Sequence, residues 1–182
     1  MTQMSIIMIN LENLLFRIFR TFQRSFLVKK FNLGISTFIF SDYFKGFEKL
    51  EVVKEIFGNK TNEILNNLRV DLTWFGGYMF VDDFSGHLVV SSRYLKKGNK
   101  VDIYLDLIHE LFHVNQFLEG KNLFDTNYSY VDRPTEIEAY TYTIKEARRI
   151  GLTDKRILTY LETEWINSED LRRLAKNLNV NY

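Results

Sequence analysis

The chain has 182 residues, of which 46% are hydrophobic and 15% aromatic, enough apolar material to bury a substantial core in one compact unit. A net charge of +1 argues against nucleic acid as the main partner. The absence of cysteine removes thiolates from any metal site and agrees with a reducing cytoplasm.

In chain order, Leu11, Leu14, Leu15, Ile18, Phe19, Phe22 and Phe26 recur at helical spacing, with Arg17, Arg20, Arg24, Lys29 and Lys30 largely off that stripe. Two readings stay open. Either the helix packs on its own domain with its basic side in water, or residues 11–31 dock on a partner or on an anionic membrane surface as a peripheral association. Residues 1–11 are apolar but too short to span a bilayer, and no basic segment precedes them, so neither a transmembrane helix nor a standard signal peptide is expected. Residues 1–70 therefore read as a helical, amphipathic and basic N-terminal region, which could also cover a cleft as an inhibitory segment. Residues 71–182 read as the functional domain, with an expected location in the cytoplasm or at its membrane surface.

From about residue 71 the pattern shortens. Asp71 to Phe75, Gly77 to Val81 and Gly86 to Leu95 are rich in aromatic and β-branched residues and are separated by Gly76-Gly77 and by Asp82-Asp83-Phe84-Ser85-Gly86. They read as strands of a small antiparallel sheet. The next element is helical and carries His109-Glu110-Leu111-Phe112-His113. Residues four apart on a helix lie one above the other, so both imidazoles can converge on one ion, with Glu110 near the side where a water would sit. Asp102, Asp106, His109, Glu110, His113 and Gln116 share one arc of that helix, and Leu107, Leu111, Val114 and Leu118 lie opposite. Such a helix belongs in a domain interior with its polar arc on a cleft. A small sheet followed by this helix and a later one is the α+β order.

The third protein ligand must come from elsewhere. The third histidine of metzincins has no counterpart here, since Glu119 stands at its position, and the cysteine ligand of peptide deformylases is absent. A carboxylate remains, with His87 as a minor alternative in a strand or turn. Asp132 to Tyr140 reads as a helix start around Pro134. On that helix Ile137, Tyr140, Ile144 and Ala147 define the buried arc; Glu136 lies roughly 60° from its centre and Glu138 roughly 140° away. Glu136 is the favoured ligand and Glu138 the alternative. Further on, Gly151 reads as a C-cap, and Thr153 as the N-cap of a helix carrying Ile157, Leu158, Leu161 and Trp165 on its core side. Ser168 opens a last helix with Leu171, Leu174 and Leu178 on one face.

These motifs resemble the gluzincin clan of zinc metallopeptidases, the thermolysin-like group in which H-E-x-x-H is followed by a glutamate on a second helix. His109, Glu110 and His113 match the first motif, and Glu136 with Ala139 is similar to the glutamate-x-x-alanine of the second. The likeness covers about residues 86–151 and is nearest to minigluzincins and ImmA-type peptidases. It implies one Zn2+ held by His109, His113 and Glu136, a peptide or protein substrate, and hydrolysis by metal-activated water with Glu110 as general base and then acid. It also implies an oxyanion donor between the motifs, for which Tyr128 and Tyr130 are the candidates, and a substrate-pairing strand before the first helix, here Leu88 to Ser92. Where many relatives carry an aspartate or asparagine that supports a histidine ligand, this chain has Tyr140. The resemblance thus leaves that supporting task to Asp106 or to the Tyr140 hydroxyl. The competing expectations are a non-catalytic, zinc-stabilised interaction domain and a regulatory or membrane-surface binding protein built on the N-terminal helix.

Overall fold

A computed structural model describes residues 36–74 and 77–182; the basic stripe over residues 11–31 lies outside them. Four strands form one sheet: Ser36–Ile39 (β1), Arg69–Thr73 (β2), Met79–Val81 (β3) and Leu88–Ser91 (β4), in the order β1-β2-β4-β3. Alternation makes β2 a strand, since Val70 and Leu72 are buried while Arg69 is exposed.

The fold is α+β as expected, but the sheet is mixed rather than antiparallel. β1 runs antiparallel to β2 and β3 antiparallel to β4, whereas β2 and β4 are parallel. The reason lies in the path of the chain. After β2 it passes through β3 at the sheet edge, turns at Asp82 and Gly86, where Gly86 N–H donates to the Asp82 carbonyl at 2.8 Å, and returns so that β4 slots in beside β2. Leu88 to Ser91, expected to pair with substrate, is therefore an interior strand with both edges occupied. The extended segment also stops earlier than expected. The Ser91 hydroxyl accepts from Tyr94 N–H and caps a short helix, Ser92–Lys97 (α4), preceded in the chain by Phe40–Tyr43 (α1), Glu51–Phe57 (α2) and Thr61–Asn67 (α3).

The helices α1 to α3, with a 3-10 turn at Phe47–Lys49 between the first two, lie between β1 and β2 in sequence and deliver Phe40, Phe47, Val53 and Leu65 to the same apolar core as the rest of the described chain. Phe47 meets Tyr104 with ring centroids 5.9 Å apart, and α2 packs against the long helix Lys100–Leu118 (α5). The side chain of Asn99 caps α5 by accepting from the backbone of Val101 and Asp102. Helix Pro134–Arg149 (α6) starts with its proline in the first turn, where a missing N–H costs nothing, and packs along α5. Asp154–Leu161 (α7), capped by Thr153, and Ser168–Asn177 (α8), capped by Asn167, complete the helical layer.

Two apolar positions differ from their helical-wheel assignment. Leu118 is exposed because it occupies the last turn of α5, beyond the packed layer. Trp165 is half-exposed because α7 ends at Leu161, four residues before it. No described helix is long and apolar enough to cross a membrane.

Candidate metal centre

Three side chains from two helices converge. His109 and His113, one turn apart on α5, place their Nε2 atoms 3.0 Å from each other, and Glu136 in the first turn of α6 brings its Oε2 to 3.2 Å and 3.5 Å from them. All three residues are buried. The two Nε2 atoms stand at hydrogen-bond distance from each other, while the Glu136 Oε2 makes no hydrogen bond despite these neighbours. A tetrahedral ion with ligands at about 2.0–2.1 Å spaces them about 3.3 Å apart, and the observed triangle has that size. The residues therefore fit a divalent ion, and these three form the one such cluster among the described residues.

The electrostatics point the same way. Burial works against a charged Glu136, yet the two imidazoles beside it hold its carboxyl well below the usual carboxylate range. Burial lowers His109 against the pull of Glu136. Burial also opposes a charged His113, but Glu136 and Glu110 outweigh it and push that imidazole up to about 9. A carboxylate and two imidazoles in a nearly dry site need positive charge among them. A proton on His113 supplies one unit in the metal-free protein; a divalent cation supplies two.

Of the two glutamates weighed from sequence, Glu136 joins the imidazoles and Glu138 does not. The Glu138 carboxylate, half-exposed, accepts from Gln116 Nε2 and from Lys121 Nζ, both at 2.8 Å. His87 also lies apart, with its Nδ1 2.8 Å from Asp71. Glu136 has a neighbour of its own in Arg133, whose Nη1 is 3.5 Å from Oε1.

Glu110 is buried beside the cluster. Burial, reinforced by the Glu136 and Asp106 charges, pushes its carboxyl up to about 8 against the opposing effects of His113 and the Val81 backbone N–H. Its Oε2 has no hydrogen-bond partner, and the residue lines two cavities. One, of about 590 Å3, is also lined by Tyr78, Tyr94, Asp106 and Trp165. The other, of about 320 Å3, is lined by Phe80, Leu123, Phe124 and Arg133.

The two candidate tyrosines separate. Tyr130 lines both cavities, and its hydroxyl meets that of Tyr140 at 2.8 Å; Tyr128 is half-exposed and lines neither. Neither residue expected to support a histidine does so by a hydrogen bond. Asp106 is engaged by Tyr94 and Tyr160, while Tyr140 lays its ring on the His109 imidazole with centroids 4.4 Å apart and leaves His109 Nδ1 unpartnered. The supporting bond falls instead on His113, whose Nδ1 meets Gln116 Oε1 at 2.7 Å. Gln116 was legible only as part of the polar arc, because its partners Thr135 and Glu138 come from α6. Trp165, whose spacing read as a core position, and Tyr78, within a strand segment, wall the larger cavity, a role that no local pattern marks. No protein-family model, no curated protein and no solved structure matches this chain.

Proposed function

We propose that this protein is a zinc-dependent metallopeptidase of the gluzincin type, with Glu110 as its proton-transfer group. The observation that carries the reading is the convergence of His109 Nε2, His113 Nε2 and Glu136 Oε2 within 4.8 Å of one another, beside a buried Glu110 whose Oε2 is unpartnered. Two imidazole nitrogens and one carboxylate oxygen are the donor set of a catalytic zinc site, in which the remaining position takes water or substrate. Zinc bound there would supply Lewis acidity, lowering the pKa of water towards about 7 and polarising the scissile carbonyl.

Glu110 then accepts the proton of the attacking water and delivers it to the leaving amine. Burial holds its carboxyl above the usual carboxylate range, which suits a group that must give back the proton it accepts. Tyr130, rather than Tyr128, is the hydroxyl at hand for the oxyanion, since it lines both cavities that meet at Glu110. An extended peptide would pair with β3, which among the described residues is bonded only on its β4 side.

A purely structural zinc site would close its coordination with four protein ligands. Three donors converge here among the described residues, and two cavities reach Glu110, which favours catalysis. The deciding experiment is Glu110→Gln. Zinc stoichiometry should stay at one per chain while hydrolysis of a mixed peptide library falls by about 10²- to 10⁴-fold. A variant that cleaves as fast as the parent would remove this mechanism.

A further inference from the structure

The larger cavity has a wall chemistry that peptide hydrolysis as such does not require. It extends from His109 and Glu110 along the N-terminal half of α5, where Asp106 contributes to its wall. Tyr94 donates to one Asp106 carboxylate oxygen at 2.5 Å and Tyr160 donates to the other at 2.8 Å. Both phenolic protons are thereby committed to the carboxylate, so neither is offered to an incoming anion or carbonyl. What this wall presents to a ligand is negative charge and ring faces. The rings continue without a break: Tyr94 to Tyr78 at 4.8 Å, Tyr78 to Trp165 at 5.4 Å and Trp165 to Tyr130 at 6.2 Å between centroids. They lead from the carboxylate back to the metal cluster.

Charges around the mouth are of both signs, and their placement is unequal. Glu162 and Glu164 line the cavity with Arg93 and Lys97, all four exposed to water. Asp102, deeper in, is paired with Arg156. Asp106, like Glu162 and Glu164, forms no ion pair among the described residues, but it differs from them in lying at the partly buried end, where a charge is screened least. Glu110, whose buried Oε2 has no hydrogen-bond partner, lines the same space.

We infer that this cavity is a subsite for a basic side chain, lysine or arginine, of the peptide substrate next to the bond that is cut, with Asp106 as its specificity-determining residue and Tyr78 and Trp165 as its aromatic wall. The substrate in this inference rests on the metallopeptidase reading; the affinity for a cation does not. A four-carbon stem lies along the rings while its charged head reaches the carboxylate and the ring faces. The smaller cavity, which shares Glu110 with the larger one, adds Phe80, Leu123 and Phe124 together with Arg133, a setting that favours an apolar neighbour over a basic one. The cleft is thus polarised across the reacting bond.

The test uses two pairs of probes on the full chain. N-acetyl-lysine amide and N-acetyl-norleucine amide are titrated into chelator-treated protein, and the corresponding hydroxamates, which add a metal-binding group, into zinc-loaded protein. Binding is read by calorimetry and by Trp165 fluorescence in a Trp74→Phe background. The lysine compound should bind about tenfold more tightly than its norleucine isostere in both series. Asp106→Asn should bring that ratio close to one. Glu164→Lys, an exposed change that leaves the interior untouched, should lower the ratio by weakening the lysine probes alone. Equal binding of the two amides, tighter binding of norleucine, or no binding of either overturns the subsite whatever the metal does. A lysine preference in the amides with no gain for the hydroxamates would instead uphold the subsite and remove the hydrolase reading.

Discussion

Gln116 is fully buried with every polar atom engaged: Oε1 faces His113 Nδ1 at 2.7 Å, while Nε2 donates to the Thr135 carbonyl at 3.0 Å and to Glu138 at 2.8 Å. Keeping the His113 proton on Nδ1 would leave Nε2 as the atom able to coordinate an ion, the usual task of a residue behind a metal-ligating histidine. Gln116→Met keeps the volume and removes the acceptor, so zinc affinity measured by chelator competition should fall by about 10- to 100-fold. Unchanged affinity would mean that packing alone orients the imidazole. Asp106 makes a different prediction. Burial, with a contribution from Asp102, outweighs the Tyr94 and Tyr160 hydrogen bonds and pushes its carboxyl from 3.8 up to about 6. The folded chain therefore binds this proton more tightly than the unfolded chain, and the stabilisation is lost as pH rises through that window. Relative to Asp106→Asn, the parent should lose up to about 3 kcal/mol of unfolding free energy between about pH 4 and pH 6, then level off. Parallel denaturation curves of the two proteins across that range would contradict the assignment.

At the scale of elements, the turn between β3 and β4 sets the position of α5. Gly86 has φ of +70°, and a Cβ there would come within 2.4 Å of the Phe117 ring. The turn can therefore hold this close approach only with glycine, which populates the left-handed region at no steric cost. Gly86→Ala adds a strained backbone conformation to a clash, and unfolding by urea should show a loss of about 1–3 kcal/mol. Since Phe117 is four residues beyond His113 on the same helix, part of that loss should be recovered in a Gly86→Ala, Phe117→Leu double variant. α5 itself is buried around most of its circumference from Ile103 to Val114. That confinement keeps His109 and His113 on a rigid support against α6, which carries Glu136.

For the whole molecule, the cluster joins α5 to α6, so ion binding and stability are linked. An ion that binds the native but not the unfolded chain stabilises by about 2.7 kcal/mol at a hundredfold excess over its Kd. In a protein of this size each kcal/mol moves the Tm by about 2–4 °C. Zinc should accordingly raise the melting temperature by about 5–11 °C over chelator-treated protein, and His113→Ala should abolish the difference. An equal shift in that variant would locate the ion elsewhere. Residues 36–70 take part in the same unit, because β1 pairs with β2 and Phe47 meets Tyr104.

Local spacing was sufficient for the parts of this protein that a single helix determines. Two histidines four apart must share a face, Pro134 opens a helix in one way, and the wheel that turned Glu136 inward and Glu138 outward needed only a 3.6-residue period. The sheet could not be read in this way: strand order depends on which strands meet after the chain has doubled back, and the parallel pairing of β2 with β4 leaves no mark in either segment. The same holds for the surroundings of the cluster. Gln116 acquires its role from α6, Trp165 from the early end of α7, and Asp106 from Tyr94 and Tyr160, the latter 54 residues away. The cluster residues came from periodicity, which is a property of neighbours in sequence; the cavity walls came from packing, which brings together residues that periodicity cannot connect.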